Sequence, residues 1–132
     1  MNRFLFGMAV IALGVAPACN TFAPDDQSVV LSVTKLDAPA AISSGAQLTV
    51  VLTVTVGGCT RFDHIAVVRS ASGADLVAWG IDGAKGKTGV GCPTFIAYEP
   101  HSYTFDPPFQ SSFTVQVDRG RVSPLIATVQ VQ

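Results

Sequence analysis

Charge is scarce in this chain. Asp, Glu, Lys and Arg make up 13% of its 132 residues, about half the usual share, so Ser, Thr, Gln, Gly and Ala must supply most of the surface. The basic residues are scattered, which excludes the concentrated positive footprint of a nucleic-acid-binding domain. Glu99 is the only glutamate, so a glutamate pair for glycoside hydrolysis is impossible, and only a mixed Asp/Glu pair stays open. No G-x-S-x-G elbow is present to mark a nucleophile, and no enzyme activity is expected. Long helical stripes are missing too. Beyond the N-terminus, no segment of ten or more residues repeats its apolar positions with a helical period.

Cysteine is sparse, but its placement is informative. Cys19, Cys59 and Cys92 are the three, and no CxxC or HxxxH spacing exists to build a zinc site. The two histidines, His64 and His101, have no mature methionine to accompany them in a blue-copper site, since Met1 and Met8 both precede Cys19. No metal and no cofactor is expected. An odd cysteine count in an exported chain leaves one thiol to be explained. Cys59 and Cys92 both adjoin glycines and are expected to pair, joining a strand end to a glycine-rich loop.

The third cysteine follows a short basic start (Arg3), an apolar run from Phe4 to Val15, and Ala16-Pro17-Ala18. Twelve helical residues reach about 18 Å, too short to cross a bilayer, so residues 1–18 read as a secretory signal peptide. This arrangement resembles a bacterial lipoprotein signal, although Ala16 occupies the position where that family usually has Leu. The resemblance implies that Cys19 receives a diacylglycerol group and becomes the mature N-terminus. It places the protein in the cell envelope, facing the periplasm or the cell surface. Residues 19–27 then form a tether. With Arg3 removed, seven Lys and Arg face nine Asp and Glu, a net charge of −2.

Residues 28–132 alternate with period two. Leu48, Val50, Leu52, Val54 and Val56 share one face of a segment whose other face is mainly threonine, the pattern of a half-buried strand. Further strands are expected at 29–34, 62–69, 76–81, 95–99, 112–117 and 125–131, the last two paired around a tip at Arg119-Gly120-Arg121. About seven short strands predict an all-β fold, an antiparallel sandwich of two sheets, with a small barrel as the lesser alternative. The expected core is Val29, Leu31, Leu48, Val50, Leu52, Val54, Val67, Trp79, Phe113, Val115, Val117 and Val129. The strand pattern is similar to immunoglobulin-like sandwiches of bacterial surface proteins. Cys59, Trp79 and Cys92 follow the order of the antibody hallmark, but the cysteines are only about half as far apart as that family requires.

Two motifs invite chemistry. Gly86-Lys87-Thr88 evokes a phosphate loop, but Ile81 stands where the motif needs its first glycine. No nucleotide is expected. The second is an aromatic cluster between residues 95 and 113, broken by Pro100, Pro107 and Pro108. Some of its rings should plug one end of the core, while Tyr98, Tyr103, Phe105 and Phe109 are expected to be exposed and form a recognition surface. These features predict a noncatalytic, lipid-anchored envelope module. Its role is structural or protein-binding, with a membrane contact through the N-terminal lipid and an unidentified envelope or extracellular protein as partner. The alternative is an inhibitor of an extracellular protease or lysozyme, using a protruding loop at 82–93 or 106–110.

Overall fold

The computed structural model describes residues 27–132; the expected signal peptide, Cys19 and most of the expected tether lie outside them. All regular structure among these residues is β. The strands are β1 (Ser28–Val30), β2 (Val33–Asp37), β3 (Ala41–Ile42), β4 (Leu48–Gly57), β5 (Thr60–Arg69), β6 (Gly73–Asp82), β7 (Ile96–Phe105), β8 (Ser112–Arg119) and β9 (Val122–Val131). They form one hydrogen-bonded sheet of order β2-β4-β5-β6-β8-β9-β3, with β7 added to β4 and β1 to β6. The sheet is curled, and its inner face encloses the core.

β4 follows the sequence expectation most closely. Leu48, Val50, Leu52, Val54 and Val56 are all buried on its inner face. Phe113, Val115 and Val117 from β8, and Val129 from β9, complete the opposite wall. Removing a Leu or Val side chain of this kind from water contributes about 1.5–3 kcal/mol, so these positions carry most of the stability. The expected pairing of the last two strands also holds, with Ser112 opposite Gln130 and Val117 opposite Leu125. Gly120 turns the tip at a φ of 68°, a conformation that costs glycine no Cβ clash.

Three expectations need correction. The arrangement is not purely antiparallel, and the described residues form nine strands rather than about seven. β6 and β8 run parallel, as do β3 and β9. Parallel neighbours need a long connection, and the excursion from residue 83 to residue 111, which includes β7, supplies it. Second, the strand expected at 29–34 is two strands. Leu31 N–H still donates to the Ala78 carbonyl beside β6, whereas the Ser32 carbonyl accepts from Thr55 N–H on β4. The chain therefore changes partner within two residues.

Third, Trp79 is outside the core. Ala74, Leu76, Ala78 and Gly80 form the inner face of β6, and Trp79 is half-buried on the outer face between His64 and Val30. Gly80 shows why this phase wins. A Cβ there would lie 2.6 Å from both the Leu31 side chain and the Arg61 carbonyl, so the glycine makes room for Leu31 over the strand. Val29 and Val67, also expected in the core, are partly buried against it.

A bulge at Asp63 keeps β5 in phase with this pattern. Phe62 pairs with Gly80 and His64 with Trp79, so the extra residue returns Ile65 and Val67 to the inner side.

Candidate functional site

β7 is ten residues long, which sets its two ends roughly 30 Å apart. That length divides the aromatic cluster into two sites of opposite character. The strand extends past Pro100, where the sequence suggested a break. Pro100 is tolerated because its missing N–H faces away from β4. Thr55 N–H points toward β2, to Ser32, and by ladder alternation so does the backbone of Thr53, the residue opposite Pro100. Pro100 therefore lies at a non-bonded position on a free edge, where proline is compatible with a strand.

The far end of β7 is an aromatic plug. Phe105 is only 2% exposed, and its ring meets Tyr103 at 4.7 Å and Phe113 at 5.5 Å, both edge-to-face. Phe109 packs on Phe113 at 4.9 Å. Arg69, at the end of β5, sits over the Phe109 ring at 4.8 Å and near Phe105 and Phe113. Its guanidinium also donates to the Asp106 and Pro108 carbonyls. One side chain thus fixes the segment 106–108, in which the Pro107–Pro108 peptide is cis. The expectation that Phe105 is exposed is overturned, and Tyr103 and Phe109 are only partly exposed, because these rings pack against the inner face of the sheet. The 106–110 loop is held by these contacts, while Asp106, Pro107, Pro108 and Gln110 remain exposed.

The near end of β7 is open. Tyr98, Ile96 and Phe95 are 64%, 70% and 52% exposed, and Val90 adds a further apolar side chain. Of the four residues expected to form the recognition surface, Tyr98 alone belongs here. Ile96 was not singled out from the sequence, although its alternation with Tyr98 across Ala97 carried the signal.

The disulfide Cys59–Cys92 closes this end, with Cα atoms 5.1 Å apart. It ties the β4–β5 turn to the 83–95 connection, as the glycine-flanked cysteines suggested. Gly58 N–H donates to the Phe95 carbonyl and Gly83 N–H to the Cys59 carbonyl. Gly57 lies so close to the Phe95 carbonyl that a Cβ would collide with it. The incoming chain enters at this same end, since Asp82 N–H donates to the Gln27 carbonyl.

The remaining polar candidates are placed as follows. Lys85 Nζ donates to the Ser28 carbonyl at 3.1 Å, and Lys87 N–H donates to Ala84, so the GKT segment is a set of turns rather than a phosphate cradle. His64 pairs with Asp63 at 2.7 Å on the surface. His101 bonds Glu99 at 3.1 Å and stacks on Phe62, with centroids 3.5 Å apart. That stack links the free edges of β5 and β7 through side chains. Among the described residues no three His, Cys, Asp or Glu side chains converge as metal ligands. At the far end, an open depression of about 510 Å³ lies among Val68, Arg69, Ser72, Asp75, Thr114 and Gln116.

Comparison of the chain with protein-family models, with curated proteins and with solved structures finds no match to any of them.

Proposed function

We propose that the protein is an exported, noncatalytic module, anchored in the cell envelope by a lipid on Cys19 and serving a structural or protein-binding role there. The observation that carries this reading is the Cys59–Cys92 disulfide. Such bonds persist in oxidising compartments outside the cytoplasm, which agrees with an N-terminal segment built like an export signal. The position of the bond supports it further. It reinforces the end where the chain leading from Cys19 enters.

In this reading the curled sheet works as an immunoglobulin-like two-layer sandwich, β2-β4-β7 facing β5-β6-β8-β9. Its support is that β4 and β5 pair only at Gly57 and Thr60, so the ladder between the layers is a hinge one pair wide. The partner surface is then the far end, around Val68 and the depression beside Arg69, because the anchor holds that end outward.

The test is metabolic labelling of the source cells with an alkyne fatty acid, followed by fractionation. The wild-type chain is expected to carry label and sediment with membranes. Cys19→Ser is expected to lose both. Unlabelled wild-type protein in the cytosol, with reduced Cys59 and Cys92, would overturn the proposal. For the partner role, a photo-crosslinker at position 68 is expected to trap one envelope protein that a crosslinker at position 53 does not.

A further inference from the structure

We infer that the end of the module carrying Val90, Phe95, Ile96 and Tyr98 docks on the phospholipid bilayer itself, an inference that rests on the lipid anchor at Cys19. The first ground is reach. Eight residues lead from Cys19 to Gln27, and fully extended they span at most about 28 Å. Gln27 is bonded to Asp82, at the same end as Ile96 and the disulfide. The two ends of a ten-residue strand lie roughly 30 Å apart, so only a fully stretched tether lying along the module could bring the far end to the lipid, and every shorter conformation keeps the lipid closer to the near end. The near end is therefore the one the anchor keeps within reach of the bilayer.

The second ground is the chemistry of that end. Val90 and Phe95, on the connection held by the disulfide, and Ile96 and Tyr98, at the start of β7, are all exposed at this end. Aromatic side chains with a polar tip, such as Tyr98, favour the headgroup region, and apolar neighbours enter the acyl boundary. Arg61, Lys85 and Lys87 are exposed at this end of the sheet; Lys85 Nζ already donates to the Ser28 carbonyl, so among the described residues Arg61 and Lys87 are the free donors for lipid phosphates. Asp82, also at this end, accepts the Ala84 N–H, and the tether adds Asp25 and Asp26. These charges nearly cancel. Docking is therefore driven by apolar contact and is insensitive to salt, unlike adsorption by a polybasic patch.

The test uses the full acylated chain in vesicles of phosphatidylcholine and phosphatidylglycerol, some with brominated acyl chains. Phe95→Trp is expected to show about two-fold more quenching than the wild type, whose single Trp79 lies further up the strand, because interfacial side chains enter about 5–10 Å. Ile96→Trp is expected to behave alike. Val68→Trp, at the opposite end, is expected to add no quenching, and 0.5 M salt (about a 4 Å screening length) to leave the result unchanged. Mass spectrometry of the same samples reads the lipid on Cys19. Acylated protein without added quenching at 95 or 96 overturns the docking surface and leaves the anchor standing. An unacylated Cys19 overturns the anchor, and quenching of the same variants mixed with vesicles then decides the docking surface separately. Equal quenching at 68 and 95 also overturns it.

Discussion

Arg69 carries more of the far end than any other side chain. It donates to two loop carbonyls, at Asp106 and Pro108, and lies over three rings. Arg69→Ala is expected to cost about 1–2 kcal/mol in urea unfolding and to speed amide exchange in 106–111. Arg69→Lys should not restore it, since an ammonium lacks the planar fork that reaches both carbonyls. Gly57 is equally demanding. Gly57→Ala drives a methyl into the Phe95 carbonyl and is expected to cost about 3 kcal/mol by overpacking, read as a lowered denaturation midpoint. Neither role was legible in the sequence. An arginine at a strand end and a glycine before a cysteine are common, and their partners lie about forty residues away.

Strands differ in how their edges are protected. Among the described residues β7 pairs on one side only, with β4, and Pro100 removes a donor from the middle of its other edge. Proline and short edges are recognised guards against strand-to-strand association. Pro100→Val is expected to restore that donor and raise self-association, seen as a concentration-dependent mass in sedimentation, with little change in monomer stability. The disulfide acts on the connection rather than on a strand. Replacing Cys59 and Cys92 together by Ala is expected to lower stability by about 3–4 kcal/mol, the closure entropy of such a loop. Limited proteolysis should then cut first within 83–95.

For the molecule as a whole, the ladder pattern predicts a hierarchy of opening. β4, β6 and β8 each have neighbours on both sides, whereas β1 and β3 are two or three residues long. Amides facing β4, β6 and β8 are expected to exchange only on global unfolding, and those of β1 and β3 by local opening. Uniform exchange across all nine strands would contradict this architecture. Leu52→Ala, at the centre of the slow set, is expected to cost about 2–5 kcal/mol.

Sequence alone determined the all-β class, the inner face of β4, the β8–β9 hairpin and the pairing of Cys59 with Cys92. These rest on period-two alternation, turn residues and cysteine arithmetic, all of which act over short distances or leave few alternatives. Tertiary structure alone decided the phase of β6, the transfer of the chain from β6 to β4 after Leu31, the parallel ladders and the fate of the aromatic cluster. Trp79 has the greater apolar area, yet Leu31 needs the space above Gly80, so packing from a distant segment reverses the local preference. The six aromatics from Phe95 to Phe113 read as one cluster because they are close in sequence. An extended strand separates neighbours by more than 3 Å per residue, and ten residues of β7 carry Phe105 into the core while leaving Ile96 in the open.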